Sequence, residues 1–403
     1  MSEPAAPGEG APTTIDPRPS DPAPLRPGPG GSEPPGAGAA DAGRPPGVDV
    51  VSEDPFNAET PMAAFAEPLT PTASFYVRNH FPVPRLDAGS WALAVGGAVE
   101  RTLRLSLDDL AALPRRTLAV TLECAGNGRS RMTPKPPGVE WRFGAAGTAR
   151  FTGVPLAAVL ERAAARPEAA VVVLTGADSG EVATGRSEPF ARALSVADAR
   201  DPDLLLAWEM NGEPLTAEHG RPLRAVVPGR YAVDSVKWLT EVRLQAEPFR
   251  GFYQEEHYRF RGEAGTPEGA AVGRLRVRAL IGRPADGGTV AAGTPVEVAG
   301  TAWSGGGAVA SVEVSADGGA TWQPAELGSP PSTHAATPWR LAWLPPAPGS
   351  YELIARASDE GGAVQPLTPR ANALGYGNNE AHRVRLVVAD AAGRRRAHEG
   401  LGN

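Results

Sequence analysis

Hydrophobic and polar positions divide the chain into stretches of different rhythm. Residues 1–48 hold 13 Pro and 9 Gly and almost no large apolar side chain. Such a segment cannot offset the entropy of its own ordering and is expected to be a disordered tail. From residue 49 aromatic and aliphatic residues return, and 91–99 alternates apolar with small or polar positions as a strand does. Residues 106–113 (SLDDLAAL) predict a short helix with a serine N-cap, acidic residues in its first turn and a stop at Pro114. The pattern predicts strands over 117–122, 170–175, 203–208, 223–227 and 236–244, and a helix over 154–166 opened by Gly153 and Pro155. After residue 268 only strand-like runs remain, at 274–281, 296–302, 310–314, 339–343, 351–358 and 384–388, separated by turns such as Asp317-Gly318-Gly319. The expected architecture is α+β over residues 49–268, followed by an all-β, Ig-like sandwich over 269–392 and a flexible C-terminal tail over 393–403.

Composition narrows the function. A chain of 403 residues with net charge −7 lacks the basic face of a nucleic-acid binder. One cysteine excludes an intrachain disulfide and any cysteine-rich metal cage. The first residues carry neither a basic stretch nor an apolar run, and no segment is long enough to cross a bilayer. The expectation is a soluble, cytoplasmic protein with no nucleic-acid or membrane partner.

Cys124 stands where the strand 117–122 runs into Glu123-Cys124-Ala125-Gly126-Asn127-Gly128-Arg129. A lone cysteine is first a small buried hydrophobe, but nearby Arg129 and Arg131 favour a thiolate, which attacks electrophiles or binds soft metals. Local chemistry leaves nucleophile, with His257 as a candidate base, and metal ligand tied. Arg78-Asn79-His80 and Glu218-His219-Gly220-Arg221-Pro222-Leu223-Arg224, the latter followed by Ser235-Val236-Lys237-Trp238, add basic and amide groups at other strand ends. If these clusters converge, they form a pocket for an anion such as a phosphate.

Glu123-Cys124-Ala125-Gly126-Asn127 with Arg129 resembles the molybdenum-binding loop of the sulfite oxidase family. The likeness continues in order through Arg78-Asn79-His80-Phe81-Pro82-Val83-Pro84, Gly147-Thr148-Ala149-Arg150, Trp208-Glu209-Met210-Asn211-Gly212-Glu213-Pro214-Leu215, His219-Gly220 with Arg224, and Val236-Lys237-Trp238-Leu239. Near the C-terminus, Asn372, Gly375-Tyr376-Gly377-Asn378-Asn379 and His382-Arg383-Val384 resemble the end of that family's dimerisation domain.

The resemblance implies a molybdenum–molybdopterin cofactor with Cys124 as the metal ligand. Arg78, Asn79, His80, Asp178, His219, Arg224, Ser235, Val236 and Lys237 inherit cofactor-binding places, and Arg78, Arg129, Tyr258 and Trp141 catalytic ones. It implies oxidation of sulfite to sulfate, and a homodimer formed through the sandwich. No CxxCH or cytochrome b5-like segment is present, so no haem is expected, and electrons would leave to a separate acceptor such as a c-type cytochrome or O2. Two places depart from the family pattern. Leu374 stands where a pocket arginine is expected, and a pocket lysine before Trp141 has only Lys135 nearby. Arg230 is a candidate to supply the missing charge. The alternatives are a molybdenum enzyme acting on nitrate or a sulfoxide, and a non-catalytic Ig-like binding protein.

Overall fold

The computed structural model describes residues 47–390. Apart from residues 47 and 48, the tails expected at 1–48 and 393–403 lie outside the described residues. No helix among these is long and apolar enough to cross a membrane.

The α+β part is built on two five-stranded sheets. In the first, Arg116–Glu123 pairs with Ala146–Pro155, which pairs with Leu205–Met210; the short strands Glu213–Pro214 and Arg224–Val226 both add to the last. In the second, the order is Leu103–Leu105, Leu93–Gly97, Leu239–Gln245, Val171–Glu181, Ser187–Ser195. Only the pairing of Leu239–Gln245 with Leu93–Gly97 is parallel. The helix Leu107–Ala111 carries the expected cap: Ser106 Oγ accepts from Asp109 N at 3.2 Å, and Asp109 Oδ2 accepts from Ser106 N at 2.9 Å. The helix Leu156–Ala163 buries Leu156, Val159, Leu160 and Ala163, one face at helical spacing, in the larger core.

Several expected elements change at their ends, the strand expected over 274–281 running as Arg278–Arg283 among them, and three show why. The helix expected from 154 starts at Leu156, because Val154 and Pro155 complete the strand Ala146–Pro155. Gly153 marks a close strand approach there: a Cβ would lie 2.0 Å from Leu206 O. The strand expected over 170–175 extends as Val171–Glu181 and forms a hairpin with Ser187–Ser195, a strand the pattern did not suggest. The strand expected from 236 begins at Leu239, because Trp238 adopts φ +50° and turns the chain.

The C-terminal part is a two-layer β-sandwich. A four-stranded sheet (Arg278–Arg283, Val296–Trp303, Thr337–Trp343, Glu326–Leu327) faces a five-stranded one (Gly288–Ala291, His382–Ala389, Gly349–Asp359, Val309–Ser315, Gln323–Pro324). Inward residues of both, among them Ile281, Val298, Trp339, Val312, Leu353 and Val384, form a second core. Its loop 372–380 reaches back onto the first domain: Gly377 N donates to Ala125 O at 2.7 Å, and Asn378 Nδ2 to Gly128 O at 2.8 Å.

Candidate active site

A pocket of about 630 Å³, counting the space open to solvent at its mouth, lies where segments distant in sequence meet, and it is lined by Arg78, His80, Cys124, Asp178, His219, Arg224, Ser235, Lys237 and Tyr258. Each lining segment is fixed by backbone constraints. The strand Arg116–Glu123 delivers Cys124, whose N donates to Ala145 O at 2.9 Å; the turn after it closes through Asn127 N to Cys124 O at 3.0 Å and Arg129 N to Gly126 O at 3.0 Å. Gly128 takes φ +83° there, and a Cβ would meet Asn378 Nδ2 at 2.9 Å, so both backbone angle and space call for glycine. Arg78-Asn79-His80 is anchored on the hairpin of Asp49–Glu53 and Phe56–Glu59. Asn79 N donates to Asn57 Oδ1 at 2.8 Å, and Asn79 Nδ2 to Phe56 O at 2.9 Å. The extended hairpin strand Val171–Glu181 brings in Asp178.

The cavity is positive. Arg224, buried, donates to the carbonyls of His219 (3.1 Å) and Ser235 (3.3 Å), and its guanidinium lies 5.6 Å from the Phe151 ring centroid. Burial brings its pKa down to about 10. Lys237 Nζ donates to Glu218 O at 2.7 Å and to Asn79 Oδ1, and lies 4.3 Å from the Trp238 ring centroid. Its pKa falls well below the usual lysine value, first through burial and then through Arg224. Burial, with the Lys237 and Arg224 charges, drops His219 to about 3, and burial with Arg78 lowers His80 well below the usual imidazole value. Both imidazoles are therefore neutral near pH 7. Burial raises Asp178 to about 6 against the opposing pull of Lys237. Burial also raises the Cys124 thiol, although Arg78, Arg129 and a hydrogen bond from the Gly126 backbone pull it down.

Two buried polar atoms in this lining, Asp178 Oδ1 and His219 Nε2, have no hydrogen-bond partner. Buried polar atoms left open in a cavity call for a ligand that supplies the missing donors and acceptors. Among the described residues no group of three or more His, Cys, Asp or Glu side chains converges to hold a metal. A metal at Cys124 would therefore need its other ligands from a cofactor. The donor set suits molybdopterin: a soft sulfur at one place, cations for a phosphate, and a carboxylate and imidazole for a pterin.

Four expected residues stand outside the lining. Asn79 sits behind it, holding Lys237. Val236 is fully buried, and its carbonyl accepts from Ala225 N at 2.8 Å. Trp141, also fully buried, packs in the same apolar cluster as Cys124. Arg129 Nη1 donates to Val139 O at 3.0 Å, and its guanidinium lies 5.3 Å from the Tyr376 ring centroid. Neither candidate for the missing charge reaches the cavity: Lys135 Nζ pairs with Glu140 at 2.5 Å on the surface, and Arg230 Nε is 2.7 Å from Asp234 Oδ2. Leu374 is half-buried against the larger core.

Sequence reasoning missed an aromatic wall around Tyr258. Tyr258 Oη and His80 Nε2 are 2.8 Å apart, the His80 ring stacks on Phe190 at 4.6 Å, and Tyr376 stacks on Tyr258 at 4.8 Å. The strand Ser187–Ser195, which carries Phe190, gave no signal of alternation to read, because residues 190–194 are buried on both faces. Tyr376 gave none beyond its place in the Gly-Tyr-Gly motif.

A family model described as oxidoreductase molybdopterin binding domain matches residues 80–253, and one described as Mo-co oxidoreductase dimerisation domain matches 270–389. Mitochondrial sulfite oxidase of Homo sapiens is 42% identical over 374 residues, covering 87% of this chain and 68% of that protein. Sulfite oxidase of Arabidopsis thaliana is 33% identical over 374 residues, 85% of this chain and 94% of that one. The NADH nitrate reductase of Ulva prolifera is 31% identical over 369 residues, 84% of this chain and 43% of that protein. Among solved structures, the sulfane dehydrogenase SoxCD from Paracoccus pantotrophus superposes with a TM-score of 0.71 at 27% identity, over 87% of this chain and 92% of that one.

Proposed function

The chain belongs to the sulfite oxidase family of molybdopterin oxidoreductases, and from that premise we propose that it oxidises sulfite, passing the electrons to a separate acceptor. Sulfite and water give sulfate, two protons and two electrons. The observation that carries the reading is the meeting, in one cavity, of the chain's single cysteine, three cations and two unpartnered buried polar atoms. When bound, the molybdenum cofactor supplies oxygen-atom transfer and two-electron redox chemistry.

The residues divide this work by position. Arg224 and Lys237 hold the cofactor's phosphate, Asp178 and the open nitrogen of His219 meet its ring donors and acceptors, and Cys124 binds the metal. Arg78 meets the anionic substrate in the cavity, Arg129 adds its positive charge from outside the lining, and Tyr258, oriented by His80, directs a hydroxyl toward the substrate. The nucleophile alternative is disfavoured because burial keeps the Cys124 thiol protonated and brings His257, its candidate base, down to about 4. The sandwich serves as the dimerisation surface, which sedimentation tests: a monomer at micromolar concentration overturns it.

Leu374, with Lys135 and Arg230 tied up elsewhere, favours a second reading, in which another oxyanion or a sulfoxide is the substrate. One lost charge-assisted contact removes about 1.5–3 kcal/mol of anion binding. Elemental analysis together with turnover of sulfite, nitrate and a sulfoxide separates the readings. Molybdenum with sulfite turnover that disappears in Cys124→Ser supports the first; molybdenum with turnover of nitrate or sulfoxide only supports the second. Protein without molybdenum that is active on none overturns both.

A further inference from the structure

We propose that Arg278, in the β-sandwich, is a positioning residue for the Cys124 loop, acting through the buried carboxylate of Glu123. Glu123 is the last residue of the strand that delivers Cys124, and its side chain is fully buried. Both of its oxygens are held from the other domain. Arg278 Nε lies 2.8 Å from Oε1, and Trp303 Nε1 donates to Oε2 at 2.8 Å. Arg278 and Trp303 are opposite each other in the register of adjacent strands. Guanidinium and indole therefore project side by side onto one carboxylate, the first as an ion pair and the second as a hydrogen bond, and together they clamp it.

The clamp continues into the loop. Asn127 Nδ2 donates to Glu123 Oε1 at 3.1 Å, and Asn127 Oδ1 accepts from Ala145 N at 3.1 Å. Ala145 O in turn accepts from Cys124 N at 2.9 Å. Arg278 Nη2 also reaches Asn127 O at 3.5 Å. An ion pair to Glu123 and then hydrogen bonds through Asn127 and Ala145 thus link Arg278 to the cysteine, and all of these residues are buried. Removing the guanidinium leaves an unpaired anion directly before Cys124. Removing both charges relieves that unpaired anion, while an amide at position 123 keeps an acceptor for only one of Trp303 and Asn127.

The significance of this clamp for the metal rests on the function proposed above, whereas its effect on the loop does not. The experiment is hydrogen exchange on the full chain without cofactor, followed at the amides of Asn127 and Arg129, well below the melting temperature. Arg278→Met should speed exchange there by about tenfold or more, and the double variant Glu123→Gln/Arg278→Met, which removes the uncompensated charge, should slow it again by about threefold or more relative to Arg278→Met. Leu353→Ala, in the sandwich core, is the control for general loosening and should leave these amides unchanged. Arg278→Lys is the milder variant should Arg278→Met fail to fold; it should speed the same amides while barely moving the melting temperature. In loaded protein, the cysteine-to-molybdenum charge-transfer band should shift in Arg278→Met and move back toward its parental position in the double variant. The proposal is overturned if the loop amides of the folded arginine variants exchange at the parental rate, or if Leu353→Ala accelerates them equally. A parent chain that never binds molybdenum would sink the proposed function while leaving the exchange result standing.

Discussion

Replacing Arg224 by methionine should separate cofactor binding from folding. The guanidinium is buried and bonded to backbone carbonyls of His219 and Ser235. Its pKa drop from 12.5 to about 10 corresponds to about 3 kcal/mol that the cofactor-free fold loses by holding the charge. Because the folded pKa is depressed, that loss is present throughout the neutral range and is relieved only as pH rises past the folded value. Methionine removes the loss but leaves two carbonyls without a donor, each worth about 1–3 kcal/mol. The two effects oppose each other, so the cofactor-free variant should unfold within about 3 kcal/mol of the parent. Loaded protein has no such offset: without its cation the phosphate loses about 1.5–3 kcal/mol, roughly a 10- to 150-fold weaker cofactor affinity. Thermal unfolding with and without cofactor, alongside molybdenum content, measures both sides. An equal fall in stability of the two forms would refute the reasoning and make Arg224 a plain structural arginine.

Other consequences follow from the same cavity. Asp178 has a raised folded pKa, so the cofactor-free protein loses stability as pH climbs from about 4 to about 6. Asp178→Asn should therefore raise the melting temperature above pH 6 and leave it unchanged below pH 4, read from melting curves across that range. Tyr258→Phe removes the hydroxyl that meets His80 and should lower kcat/KM for sulfite by about tenfold or more at unchanged molybdenum content, by steady-state assay. Gly153→Ala would drive a Cβ to 2.0 Å from Leu206 O, so it should destabilise the first sheet by more than about 2 kcal/mol in chemical denaturation. Leu353→Ala empties fully buried volume in the sandwich and should lower stability by about 2–5 kcal/mol by the same measurement.

Local pattern by itself determined a good deal. Period-two alternation located most strands, because a half-buried strand must alternate. Ser106 marked its helix start, and the Cys124 loop with its ordered companion motifs identified the family. Those motifs are short and contiguous, so the chain spells them out. The tertiary structure decided what depends on residues far apart meeting in space. It turned Gly153 from a helix opener into a point of close strand contact, because the deciding atom, Leu206 O, belongs to another strand. It withdrew Lys135 and Arg230 from the cavity by pairing each with a carboxylate. It placed Tyr376 and Arg278, from the second domain, against the first domain's site. A charge's neighbours are set by the packing of sheets and loops, and no spacing along the chain encodes which carboxylate an arginine will find.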